Sequence, residues 1–359
     1  MFIIGVITVI LIIAIGLYRK MDLVEILMIS GAFFTGVVII YALAISIGAN
    51  DKEVWSGYVV DWEHKEEYWE HIPAKTKRYT DSNGNRKTRR IPAKNIYHHA
   101  TNRIKTSDNG WTTVNQFNGK KFNDKYPNST EELKQMWKPK TPTASVHRYV
   151  NKVSGSQSIY ESTGQYEHLY DKLPDYPMLT RENLYIDRVI GYFPNMSKMN
   201  KQLSQKNSDL NIMIPDPEKE GKQRAWKQVN MIIVNLGDGV SSDYGYALKD
   251  HWGNGNKNDF IVCLSMGNDG IIDWVNIITW SESELLKIEV RDYLLDLDPV
   301  LTGEDSINMV NKISDLVAEK FERKQFADFN YLKPNINIGF YILLIIVSIT
   351  FIVFVANLK

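Results

Sequence analysis

A single cysteine in 359 residues leaves no partner for an intramolecular disulfide. Cys263 sits in the apolar run FIVCLS, and its solitude is neutral on cellular compartment. Net charge is missing too, since 42 Lys and Arg balance 42 Asp and Glu. Without a global basic field, a dedicated nucleic-acid binder is not expected. The chain has no Walker loop, no G-x-S-x-G elbow and no H-E-x-x-H. The usual sequence grounds for a nucleotide hydrolase, a serine hydrolase or a zinc protease are therefore absent. Heptads and internal repeats are lacking as well, which argues against a coiled coil or a solenoid.

Charge is also missing from three long apolar runs, 2–18, 26–49 and 338–358. Each holds roughly 17 to 24 residues, enough at about 1.5 Å per residue for a hydrocarbon core near 30 Å. All three are expected to be transmembrane helices. The first lacks a basic n-region and a small-residue cleavage site, so it reads as a retained helix. No ionisable residue lies deep in any run, which argues against a proton relay or ion pathway. Ala32/Gly36 and Ala44/Gly48 are small-xxx-small pairs that suit helix contact. Arg19 and Lys20 in the short link, with Lys359 at the end, favour a cytoplasmic hairpin and tail. The expectation is an integral, multi-pass membrane protein whose residues between the spans lie outside the cytoplasm.

Residues 51–180 read as a β-rich domain. VWSGYVVDW has the Val, Tyr and Trp content of a half-buried strand. IPAK occurs at 72–75 and again at 91–94, and Asn83-Gly84 between them is a turn signal. The pattern predicts a hairpin arm with its tip near 82–85 and edge character at Pro73 and Pro92. Lys75, Lys77, Arg78, Arg86, Lys87, Arg89, Arg90 and Lys94 make the arm basic, with only Asp81 opposing. Such an arm either touches anionic lipid headgroups or an acidic partner, or is a solvated hairpin whose cations guard its edges. His64, His71, His98 and His99 cluster here, but adjacent His98 and His99 face opposite ways on a strand and have no compact ligand spacing.

Residues 181–330 alternate strand and helix periods. NLYIDRVIGYF, LNIMIP, VNMIIVNL, FIVCLS and IIDWVNIITW read as strands. MSKMNKQLSQKN, the stretch from Asp243 to Trp252, SESELLKIEVRDYLLDL and 304–325 read as helices. Asn195 and Ser241–Asp243 are N-caps, Gly253 is a helix stop, and Ser281 to Glu284 spells a capping box. The fold class expected is a three-layer α/β (α+β) domain behind a β-rich subdomain, with three transmembrane helices.

Within this unit Asp243, Tyr246-Ala247, Trp252-Gly253-Asn254-Gly255 and Asn258-Asp259 follow one another in an order that resembles the TPM domain family. The resemblance covers about residues 184–325. Phe260 stands where the family usually has a glycine, and Thr279-Trp280-Ser281 replaces its later Gly-rich turn. It implies a membrane-tethered domain outside the cytoplasm, and in some members Ca²⁺ or Mg²⁺ binding or phosphate-ester hydrolysis. The matching metal ligands here are Asp238, Asp243, Asn258 and Asp259, expected to converge at the carboxyl end of strand 229–236. As ordinary structure, Asp243 caps a helix and Asn258-Asp259 forms a turn. The leading expectation is an interaction or scaffold module with a membrane-protein partner and no catalytic residues. The alternative is a divalent-metal-dependent phosphatase.

Overall fold

The computed structural model describes residues 2–48, 50–80, 84–123, 126–151, 164–178, 184–329, 332 and 336–358. Contacts gather the chain into two units, 1–53 with 147–171 and 324–359, and 54–146 with 172–323. Of the expected domains 51–180 and 181–330, residues 54–146 and 172–323 fall in one unit.

The first unit carries the apolar helices α1 (Phe2–Tyr18), α2 (Leu23–Gly48) and, from the other end of the chain, α8 (Ile338–Asn357). Ile12, Phe33, Val37, Leu344 and Val355 form their shared core. A Cβ at Gly16 would lie 2.7 Å from Ile26 Cγ1, so this glycine lets α1 approach α2. Gly36, in contrast, faces open space, and the Ala32/Gly36 pair does not mark a contact. The outward faces remain apolar, with Ile7, Ile10, Leu27, Ile39, Ile346 and Ile349 all exposed. Uncovered apolar surface of this extent marks a face that meets a membrane or another protein. Two helices, α2 and α8, are long and apolar enough to cross a membrane. The expectation of three is corrected: α1 has 17 residues, a rise of about 26 Å, short of a core near 30 Å.

In the second unit the chain first makes β1 (Asn50–Lys65), whose first residues belong to the other unit. The arm follows as β2 (Tyr68–Ile72), β3 (Lys75–Thr80), β4 (Arg86–Ile91) and β5 (Lys94–His98). Then come β6 (Thr101–Thr106), β7 (Gly110–Thr113), β8 (Gln116–Phe117), β9 (Lys120–Lys121), α3 (Thr130–Met136) and β10 (Pro142–Val150). A four-stranded sheet has the order β10-β1-β6-β7. Its core is Val59, Ile104, Val114, Leu133, Trp137 and Leu184.

The rest continues with β11 (Val189–Ile190), α4 (Met196–Leu210), β12 (Met213–Pro215), β13 (Gln223–Ala225) and β14 (Asn230–Asn235). After them come α5 (Asp243–His251), β15 (Asp259–Met266), β16 (Ile272–Thr279), α6 (Glu284–Leu295) and α7 (Gly303–Lys320). The second sheet is ordered β11-β14-β15-β16, parallel except for the last pair. Every residue of β14 and β15 is buried, as expected of strands covered on both faces. Met231, Ile233, Val262 and Leu264 meet α4, α6 and α7. Ile232, Val234, Ile261 and Cys263 meet Leu248 of α5 and Trp252 on the other face. This is a three-layer arrangement.

Two local expectations are corrected. NLYIDRVIGYF keeps only Val189 and Ile190 as strand, because Asn200 Oδ1 accepts from the backbone N–H of Arg188. Gly191 then turns with φ +83°, and a Cβ there would fall on the carbonyl oxygen of Asn235. The cap of α6 is Ser283, whose Oγ accepts from Leu286 N, in place of Ser281. Ser281 Oγ is engaged elsewhere, by the N–H groups of Ser283 and Glu322.

Candidate functional site

The four proposed metal ligands are placed by the parallel register of β14 and β15, which sets Asn230 beside Asp259 and Asn235 beside Leu264. Asn258 and Asp259 are therefore at the amino end of the sheet. Asp238 follows the carboxyl end of β14, and Asp243 opens α5; both are exposed. The length of β14, roughly 17 Å at about 3.3 Å per residue, separates the two pairs. One ion with oxygens at about 2.3 to 2.6 Å cannot take ligands from both ends. The expected four-residue Ca²⁺ or Mg²⁺ site is thus corrected to two separate pieces. Among the described residues no group of three or more His, Cys, Asp or Glu is placed to hold a metal.

Asp259 has a different setting. It is fully buried and accepts from Tyr176 Oη at 2.9 Å, Asn230 Nδ2 at 2.9 Å and the Asn256 N–H at 2.7 Å. Asn230 Oδ1 in turn accepts from Arg188 Nε at 2.7 Å, and Arg188 also donates to Ser56 Oγ at 2.7 Å. Burial and the Asp259 carboxylate push the Tyr176 phenol well above its ordinary range, so it stays a donor. Burial draws the Arg188 guanidinium down to about 10, which still leaves it charged at neutral pH. Asn258 Nδ2 donates to the Val54 carbonyl of β1 at 2.7 Å. These groups tie the two sheets of the second unit together and expose no reactive atom. Arg188, Asn230 and Tyr176 were not among the sequence candidates; a lone arginine inside the apolar stretch YIDRVIGYF was their only signal.

The basic arm is the most accessible cluster. β2 pairs with β5 and β3 with β4, with breaks at Pro73-Ala74 and Pro92-Ala93 where the ladder lacks donors. The expected tip falls partly on 81–83, which lie outside the described residues; Gly84 has φ +79°. Every residue of β3 and β4 is exposed. Register assigns Lys75, Lys77, Tyr79, Lys87, Arg89 and Ile91 to one face. The other face is a checkerboard, with Thr76 opposite Arg90, Arg78 opposite Thr88 and Thr80 opposite Arg86. Lys77 stands directly opposite Arg89, a repulsive cross-strand pair. Among the described residues, Lys75, Lys77, Arg78, Arg86, Arg89 and Arg90 make no ion pair. At the base, His98 Nε2 meets Glu70 at 2.9 Å and His71 Nδ1 meets Asn95 at 2.6 Å, so the histidines serve the hairpin itself. Chemically, the arm offers a two-sided ribbon of donors and positive charge. No family model, curated protein or solved structure matches this chain.

Proposed function

We propose that the protein is a membrane-anchored interaction module whose basic arm docks into an acidic groove of a partner held at the same membrane. The observation that carries this reading is the exposed β3–β4 ribbon, on which, among the described residues, Lys75, Lys77 and Arg89 on one face and Arg78, Arg86 and Arg90 on the other make no ion pair. A flat lipid surface would meet one face only; a groove engages both. A two-stranded ribbon with Lys77 facing Arg89 is marginal by itself, and counter-charge from a partner would relieve it. Membrane anchoring rests on α2 and α8 and on their uncovered apolar faces. A two-span arrangement of α2 and α8 fits the Arg19 side chain donating to the Leu358 carbonyl at 2.7 Å, and the extracytoplasmic position of the arm rests on the basic residues of the 19–22 link. That bond puts the α1–α2 link and the end of α8 at one end of the bundle. The four residues nominated for the phosphatase alternative lie at opposite ends of the sheet, which favours the interaction reading.

The test is photocrosslinking in native membranes from a reactive side chain at position 88 on the arm. The expected outcome is a discrete protein adduct that weakens with salt and disappears when Arg78, Arg86 and Arg90 become Glu. Lipid adducts alone, or a protein adduct indifferent to both changes, would defeat the proposal.

A further inference from the structure

A cleft of about 780 Å³ opens within the second unit, between the α3–β10 region and α4. That volume is in the range of small-molecule sites, about 300 to 1,000 Å³. Its apolar wall includes Phe117, Met136, Trp137 and Leu184. The wall is held firmly. The rings of Phe117 and Trp137 meet edge to face at 5.3 Å. Trp62 Nε1 donates to the Trp137 carbonyl at 2.6 Å, and Ala144 N–H to the Leu184 carbonyl at 3.0 Å. A preformed wall of this kind needs little ordering when a ligand arrives.

The charged residues lining the cleft are Lys138 and Lys201, and no carboxylate lines it among the described residues. Both lysines are exposed, and neither forms an ion pair among the described residues. In a chain with equal numbers of acidic and basic residues, this is a local excess of one sign. Ser197, also at the rim, belongs to the first turn of α4, the helix end that favours negative charge. Tyr185 adds a phenol whose ionisation burial discourages, so it serves as a neutral hydroxyl.

We infer that this cleft binds a small amphipathic anion, a carboxylate or phosphate monoester carried on an aromatic or aliphatic body. The apolar part lies on Trp137, Phe117 and Leu184, and the anionic end meets Lys138 and Lys201. This site is separate from the arm and does not depend on the partner proposed above.

Calorimetry on the full chain in a non-ionic detergent tests it with three probes of one shape: a naphthyl-butyrate, its primary amide and the corresponding amine. Micelles alone give the background. The carboxylate is expected to bind best and the amine worst. The double variant Lys138→Gln, Lys201→Gln should weaken the carboxylate about tenfold and leave the amide unchanged. Ser197→Trp, which fills the mouth from an exposed helix position, should remove binding of both. A dodecyl phosphate arm that binds where naphthyl-butyrate does not would assign the site to phosphate-headed lipids. Equal binding of carboxylate and amine would overturn the inference. So would a carboxylate affinity unmoved by the lysine substitutions, or the absence of binding by either anion up to about 1 mM.

Discussion

Arg188 is buried to 1% exposure, yet among the described residues it makes no direct ion pair; Asn230 relays between it and Asp259. Two buried opposite charges joined by one amide tolerate loss of both ends better than loss of one. Arg188→Met should destabilise the second unit by about 3 to 5 kcal/mol, because it removes one buried charge from the network that runs through Asn230 to Asp259. Adding Asp259→Asn should recover much of that loss, which denaturant unfolding of single and double variants would show. A pH effect belongs to the same scale. Burial raises the Cys263 thiol from 9.0 to about 12, and Tyr176 is pushed well above 10.0. Above about pH 9 the unfolded chain releases these protons while the native chain keeps them. Stability contributed by the neutral forms is full below pH 9 and falls as pH climbs toward 12. Thermal unfolding between pH 8 and 11 checks this; a flat profile would contradict it. Cys263 should likewise resist alkylation in the native state and react on unfolding.

Among the elements, the arm joins stability and recognition in opposite senses. Lys77→Glu turns the Lys77–Arg89 repulsion into an attractive pair and should stabilise the ribbon by about 0.2 to 1 kcal/mol. If the cations serve only to protect edges, that change leaves partner binding intact. If they dock a partner, crosslinking falls although the ribbon is firmer. The arm was legible in advance, since the repeated IPAK and the Asn83-Gly84 pair mark two strands and their turn without reference to the rest of the fold. The buried strands β14 and β15 were legible for a similar reason, as each is a near-continuous apolar run. Where the expectation failed, distant contacts decided. The strand expected at 183–193 shrank because α4 supplies Asn200 to the Arg188 backbone. The four-residue metal site failed because composition places ligands in order along the chain but not at one end of a sheet. Asn258 precedes β15 and Asp259 opens it, while Asp238 follows β14, and parallel pairing sets them at opposite ends.

At the scale of the whole molecule, apolar helices lie near both ends of the chain and share a core. The Arg19–Leu358 bond makes a topological prediction. In a Cys263→Ser background, a cysteine introduced at Lys20 and one at Lys359 should show the same labelling by a membrane-impermeant maleimide. A cysteine at Thr88 should show the opposite accessibility in intact cells. Opposite results for Lys20 and Lys359 would contradict the shared end of the bundle. Length and charge announced α2 and α8, whereas the run 2–18 forms a helix of its full 17 residues and is still the shortest of the three.

The most direct measurement follows the full chain and a variant with Lys75, Lys77, Arg78, Arg86, Arg89 and Arg90 changed to Gln through alkaline washing of membranes and then size separation in mild detergent. The account predicts that both stay in the membrane pellet, and that the unaltered chain migrates as a larger complex while the variant migrates alone. Release of the unaltered chain by the wash, or the same complex formed by the variant, would contradict it.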